Sequence, residues 1–147
     1  MRERTTATPT VDDLIGAMTH QQRLLERLLF RHAEVAMLIA AGEHRFVPSA
    51  IDEALEVEAE LGAVDLVRAV TAEALGLGDT VTEIALAASD GEARHLLRVS
   101  EEMARTLAQV NTYRARAAAW AGDRATRLSA SIAGGSTTGY SEDGSAA

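Results

Sequence analysis

The fold is decided by one long stretch, EARHLLRVSEEMARTLAQVNTYRARAAAWAGDRATRLSASI, at residues 92–132. In its first half apolar side chains recur at helical spacing, which predicts a core-facing stripe. That stripe consists of Leu96, Val99, Met103, Leu107 and Val110. Beyond Asn111 it thins to alanines, with Trp120, Leu128 and Ile132 as the large apolar groups. Because such a helix buries little surface alone, we expect a partner to order its second half.

The whole chain predicts an all-α fold, an antiparallel, coiled-coil-like bundle of three long helices and one short helix. The helices are expected at residues 10–41, 48–75, 80–88 and 90–133. Residues 1–9 are expected to be disordered, and residues 134–147 to form a flexible Gly- and Ser-rich tail. Three capping boxes mark helix starts. They are Thr10 with Asp13, Thr80 with Glu83, and Ser89 with Glu92.

The first helix carries a seam of residues that recur every seven positions, as in a coiled coil. One row consists of Val11, Met18, Leu25, His32 and Ile39, and the companion row of Leu14, Leu28 and Val35. Gln21, Gln22 and His32 interrupt this seam with polar groups, which in coiled coils fix register or partner number at some cost in stability. His32 is interpreted as a core histidine.

The second helix is apolar on two flanks. One flank consists of Ala54, Val57, Leu61 and Val64, and the other of Ile51, Leu55, Leu66 and Val70. A helix with two apolar flanks is expected to lie between two neighbours. In the short third helix, Ile84 and Leu86 are expected to close one end of the bundle.

Composition excludes several classes of protein. The length of 147 residues suits one domain, and the formal net charge of −8 argues against nucleic acid as the main partner. Without cysteine the chain has no disulfide, thiolate metal site or thiol nucleophile. No window approaches the ~18 apolar residues that a membrane span needs. We therefore expect a cytoplasmic protein with no membrane span.

Charge is segregated along the chain, with acids concentrated in residues 43–73 and arginines in residues 105–127. The simpler interpretation is that these blocks pair as neighbouring helix faces. The alternative is a basic docking surface for an acidic partner.

No catalytic constellation is found in the sequence. Glu92 and His95 match the Glu-x-x-His pattern of dinuclear metal sites, but such sites need a second pair and two further glutamates. Nucleophile-elbow, P-loop and dinucleotide motifs are absent. We expect no enzyme activity, no metal and no cofactor; a helical-bundle metalloenzyme would require a stoichiometric metal.

Several landmarks follow one another along the chain. They are Leu24-Leu-Glu-Arg-Leu-Leu-Phe-Arg-His-Ala-Glu34 with the stop Ala41-Gly-Glu43, the break Leu75-Gly76 before Thr80-Val-Thr-Glu-Ile-Ala85, then Gln109-Val-Asn111, and Tyr140-Ser-Glu-Asp-Gly144. In this order they resemble the flagellar export chaperones for hook-filament junction (hook-associated) proteins, the FlgN-like family. The resemblance covers most of the chain. It departs from the family pattern near Arg114, where a second Asn is common, and at residues 117–119, where larger aliphatics are common.

The resemblance implies a cytoplasmic, non-enzymatic chaperone of bacterial flagellum biogenesis. Such a chaperone holds the helical terminal region of an unassembled hook-associated protein and delivers it to the export gate of the flagellar type III secretion system. The resemblance places client binding on the last part of the long helix, at Val110, Asn111, Tyr113, Ala117, Trp120, Ala121, Leu128 and Ile132. It makes Tyr140 the candidate contact with a component of the export gate.

A second hypothesis is a self-associating helical scaffold protein with no flagellar client. The seven-residue spacing from Val11 to Ile39 could pair two copies of the chain, giving a homodimer.

Overall fold

The computed structural model describes residues 7–78 and 81–135. Its helices are α1 (Val11–Ala40), α2 (Val47–Ala74), α3 (Val81–Ala87) and α4 (Asp90–Gly135), with a 3-10 turn at His44–Phe46. The described residues form helices and turns and no strand, so the all-α prediction is confirmed. The predicted disordered N-terminus and flexible tail lie mostly outside the described residues.

The capping box at the start of α1 is formed, and at the start of α4 the bond from the Glu92 amide to Ser89 is formed. The Asp13 amide donates to Thr10 Oγ1 at 3.3 Å, and the Thr10 amide donates to Asp13 Oδ2 at 2.7 Å. At α4 the Glu92 amide donates to Ser89 Oγ at 3.4 Å, and the Ser89 hydroxyl donates to Glu92 Oε1 at 2.7 Å. These bonds satisfy amides that a first turn leaves without helical partners. The remaining predicted box rests on Thr80, which lies outside the described residues.

Glycine ends both α1 and α2. Gly42 and Gly76 have φ values of 73° and 67°, a backbone region that residues with a Cβ rarely adopt. After α1, the Gly42 amide donates to the Ile39 carbonyl at 3.1 Å. The Glu43 amide donates to the Leu38 carbonyl at 2.9 Å. This pair of bonds is the Schellman motif, and it stops α1 so that the chain can turn back.

The central helix of the bundle is α1, because both α2 and α4 pack against it. Near its start Leu14 shares a cluster with Leu96, and near its end Val35 shares a cluster with Trp120. The helix α4 therefore runs parallel to α1, while α2 runs antiparallel to both. Since α2 barely approaches α4, the bundle has two packed interfaces and one open side.

Buried apolar side chains form three clusters along α1. The first contains Leu14, Met18, Ala72, Ile84, Leu96 and Val99. The middle cluster contains Leu24, Leu28, Ala54, Val57 and Val110. The hairpin-turn cluster contains Val35, Val47 and Ala50, with Ala117 and Trp120 packed against it. Other helices of the same chain therefore fill the seam predicted for α1.

A polar contact inside the seam joins α1 to α2. Gln21 is buried, and its Nε2 donates to Asp65 Oδ1 at 3.0 Å. The Arg68 guanidinium lies 2.7 Å from the same oxygen and lowers the pKa of Asp65. Asp65 is thus charged at neutral pH and accepts from both groups. Because a slip of α2 along α1 would break the Gln21 bond, this contact fixes the register of the hairpin.

Two predictions about apolar surface are wrong. The second flank of α2 is not covered by a neighbour, since Ile51, Leu55, Leu66 and Val70 are all exposed. In α3, Ile84 is buried as expected but Leu86 is 83% exposed. Residues two apart on a helix point to nearly opposite sides, so both cannot face the core. The consequence for α2 is a second apolar face that no described residue covers.

Replacing Leu28 by Ala is expected to lower the free energy of unfolding by about 2–5 kcal/mol, because the change leaves a cavity in a packed core. Leu28 is 1% exposed and Leu128 is 62% exposed. The matched change Leu128→Ala is therefore expected to alter stability by no more than about 0.5 kcal/mol. Urea unfolding followed by circular dichroism measures both, and equal losses would contradict this assignment of the core.

Candidate partner-binding surface

The last part of α4 is a helix that no other described residue covers. Every residue from Ala121 to Gly134 is exposed, and we call this segment the exposed arm. At the rise of an α-helix it is about 20 Å long. Leu128 and Ile132 are 62% and 68% exposed, and helical spacing places them on one face with Ala125. An apolar row left in water in this way is typical of a surface that docks on a partner.

Trp120 marks the point where α4 leaves the core. Its indole packs against the hairpin-turn cluster and stacks on the His44 ring, with centroids 5.4 Å apart and planes at 26°. The Arg124 guanidinium lies 5.5 Å from the indole centroid, a distance at which cation–π attraction acts. Trp120 therefore ties the base of the exposed arm to the turn between α1 and α2.

An apolar groove lies between the start of α2 and the exposed arm. Its volume is about 590 Å³. The walls include Val47, Pro48 and Ile51 on the α2 side and Ala121, Ala125 and Leu128 on the α4 side. A second depression of about 260 Å³ shares Ile51 and Ala121 with the first and continues between α2 and α4. We call the two together the α2–α4 groove; it follows the open side of the bundle.

A polar layer lines the inner part of the α2–α4 groove. Arg114 of α4 and Glu58 of α2 form an ion pair across it, and His32 of α1 lines the same depression. The His32 Nε2 lies 3.7 Å from Glu58 Oε1, beyond hydrogen-bond length. Burial lowers the pKa of His32 from its usual 6.5, Arg114 lowers it further, and Glu58 opposes both. His32 is therefore neutral at neutral pH.

The predicted pairing between the acidic and basic blocks is formed in part. Glu58 pairs with Arg114 of α4. Two other acids of α2 pair instead with arginines of α1: Arg31 lies 2.7 Å from Glu53, and Arg27 lies 3.4 Å from Glu60.

Charges of opposite sign without an ion-pair partner lie at and beside the groove, where Asp52 and Arg124 are lining residues. Asp52 and Glu56 of α2 have no ion-pair partner within residues 7–78 and 81–135. Arg124 and Arg127 of the exposed arm likewise have no carboxylate partner in that part of the chain. The start of α2 is thus acidic, and the arm carries two arginines against one acid, Asp123.

The residues predicted to bind a client fall at different depths. Val110 is fully buried in the middle cluster and belongs to the core in this structure. Ala117 and Trp120 are partly buried against the hairpin-turn cluster. Ala121 and Leu128 line the α2–α4 groove. The structure therefore brings four of the predicted residues together along the groove: Ala117, Trp120, Ala121 and Leu128.

The other predicted residues lie apart from the groove. Asn111 is exposed on α4, and Ile132 is exposed farther along the arm. Tyr113 lines a separate depression between α4 and α1, where the Arg116 guanidinium lies 5.6 Å from its ring centroid. Tyr140, the candidate gate contact, lies outside the described residues.

Sequence reasoning did not find the α2 wall of the groove. The available signal was the second apolar flank of α2, with Ile51 and Leu55, but it was interpreted as a contact with a neighbouring helix. Periodicity shows which residues share a face and does not show whether that face is covered.

The side chains that line the α2–α4 groove are mostly apolar, with His32, Glu58 and Arg114 at its inner part. Within the described part of the chain, no group of three or more His, Asp or Glu side chains could hold a metal ion. His95 of the Glu92–His95 pair lies with its Nδ1 3.0 Å from an Arg98 nitrogen. No helix in the described ranges has the length and apolar character of a membrane span.

Comparisons with protein-family models, curated proteins and solved structures find no match for this chain.

Stability is expected to fall as the pH drops below 6.5, because the unfolded chain then protonates His32 more readily than the folded chain does. The His32→Gln variant is expected to lose this slope. His20→Gln, a change at an exposed histidine, is expected to keep it. Thermal unfolding between about pH 7.5 and pH 5, above the range where carboxylates titrate, measures all three proteins. An unchanged slope in His32→Gln would contradict the partly buried, neutral state of this residue.

Proposed function

We propose that this protein is a non-enzymatic export chaperone that binds an amphipathic helix of an unassembled subunit along its exposed arm and α2–α4 groove. The client is a hook-associated protein, which the chaperone delivers to the gate of the flagellar type III export system. One observation carries the binding role: α4 continues beyond the core with Leu128 and Ile132 in water beside an open apolar groove.

Helix-in-groove recognition explains how this surface would hold a client. A client helix that enters the groove covers apolar side chains of α2 and of the arm together. Covering Leu128 and Ile132 would contribute about 1–2 kcal/mol each. Trp120 is already held by His44 and the hairpin-turn cluster, so it supplies a rigid aromatic anchor at the base of the site.

The surface also suits a complex with the client that dissociates readily. The side chains of the arm are exposed in the described structure, so part of the interaction energy is used to immobilise them when a client binds. Ordering a binding segment can cost about 2–5 kcal/mol, which weakens the complex and eases release. A carrier that hands its client to an export gate requires such a balance.

The flagellar client is supported by the sequence resemblance alone. The landmarks from Leu24 to Gly144 follow the order of the FlgN-like family, and Tyr140 is proposed to contact the export gate. The cytoplasmic location is proposed on the same ground.

The scaffold hypothesis was based on an exposed seam of α1 that pairs two copies of the chain. The seam of α1 that was expected to pair two copies is filled inside one chain, where Leu14, Met18, Leu28 and Val35 are buried. Any self-association therefore has to use another face.

Isothermal titration calorimetry of the full chain with the helical terminal region of a hook-associated protein from the same bacterium tests the proposal. We expect a Kd of about 1 μM or tighter for at least one such protein. The variant Leu128→Glu/Ile132→Glu places charge in the apolar row and is expected to raise the Kd at least about tenfold.

The matched control is Leu86→Glu/Leu97→Glu, which changes two exposed leucines outside the arm and the groove. It is expected to bind as the natural chain does. Unaltered affinity in the arm variant would remove the arm from the site, and failure to bind any hook-associated protein would remove the flagellar client.

A further inference from the structure

We propose that the N-terminal half of α2 is a docking surface for the exposed arm of a second copy of this chain, giving a two-fold symmetric dimer joined at the end of the bundle that carries the arm.

The docking surface on α2 combines an apolar row with an acidic row. Ile51 and Leu55 are one turn apart and are 38% and 53% exposed. Asp52 and Glu56 each follow one of them by a single position, so helical geometry places the two carboxylates in the adjacent row. We call these residues the α2 ridge. Both carboxylates are exposed, and neither has an ion-pair partner in the described chain.

The exposed arm carries the matching pattern with the opposite charge. Leu128 and Ile132 are also one turn apart and exposed. Arg124 lies one turn before Leu128 in the same row, and Arg127 precedes Leu128 by one position, which places it in an adjacent row. The Arg124 guanidinium lies over the Trp120 ring, and neither arginine meets a carboxylate among the residues that the structure describes. The apolar row of the arm can therefore pack against the apolar row of the partner's α2 ridge. In that arrangement the arginines of the arm lie near the acids of the ridge.

Within one chain these two surfaces do not pack on each other. The groove of about 590 Å³ separates Ile51 and Asp52 from Leu128, and α2 and α4 barely approach one another. The helix α4 is continuous from Asp90 to Gly135, so the arm cannot fold back onto the α2 ridge of its own chain without breaking. A second arm can instead enter the open groove.

Two-fold symmetry lets both contacts form at once. The arm and the α2 ridge begin at the same end of the bundle, because Trp120 stacks on His44 beside the start of α2. A two-fold axis near that end lays each arm on the ridge of the partner, so the contact is repeated. The arm and the first four turns of α2 are each about 20 Å long, and the lengths therefore match.

The dimer also regulates the proposed client-binding site on the arm, and this part of the inference rests on the proposed function. The apolar row that would face a client is the row that the second copy covers. A client and a second copy therefore compete, and the arm stays covered until a client displaces it.

Sedimentation equilibrium of the full chain, without client, tests the dimer. We expect a monomer–dimer equilibrium that weakens when salt is raised from about 0.05 M to about 0.5 M, because the paired charges are near the surface. The arm variant Arg124→Glu/Arg127→Glu and the ridge variant Asp52→Arg/Glu56→Arg each place like charges opposite one another. Each is expected to raise the dimer Kd at least about tenfold.

Mixing the two variants in equal amounts supplies the decisive measurement. In the mixed dimer the acidic arm faces the basic ridge and the basic arm faces the acidic ridge, so both contacts are restored. We expect the mixed dimer to form with an affinity close to that of the natural chain. The control Arg23→Glu/Arg105→Glu has the same change in net charge as the arm variant, at exposed sites outside both surfaces, and it is expected to leave the dimer Kd unchanged.

A monomeric natural chain at every concentration would overturn the proposal, as would a dimer that neither variant weakens or that the mixture does not restore. Circular dichroism of each variant checks that the helical content is retained. The client titration is separate: a monomeric chain that binds a hook-associated protein refutes the dimer alone, and a dimer that binds none refutes the proposed client alone.

Discussion

Every long helix of this protein depends on α1 for its core contacts. The seam of α1 meets α2 on one side and α4 on the other, and the three apolar clusters all lie along it. Because α2 and α4 both pack on α1, they are held apart from each other. The Glu58–Arg114 ion pair spans the gap between them. The open side of the bundle, and with it the groove, follows from this arrangement.

Local sequence signals predicted the elements of the fold well. The capping pair Thr10 and Asp13 and the glycines after α1 and α2 act through bonds between near neighbours in the chain, so their effect can be derived from sequence. The second flank of α2 could not be interpreted in the same way. Its spacing is the same whether a neighbour covers it or water does, and only the relative placement of α2 and α4 decides between the two.

For the candidate site, the sequence predicted the α4 side but not the α2 side. The thinning of the stripe after Asn111 indicated where α4 leaves the core, because an alanine side chain buries little apolar surface. The contribution of His44, Ile51 and Asp52 could not be predicted, since these residues are distant in sequence from Trp120 and meet it only after the hairpin closes. The polar layer of His32, Glu58 and Arg114 likewise needs three helices in register.

The continuity of α4 has a consequence for whatever binds the arm. Leu128 follows Val110 by about five full turns of an α-helix, so the two side chains leave the helix axis in nearly the same direction. Val110 is fixed in the core between α1 and α2. The buried half of α4 thus sets the rotational orientation of the exposed half about the helix axis. A binding partner must approach from that one direction, because the arm cannot turn to meet it without pulling Val110 out of the core.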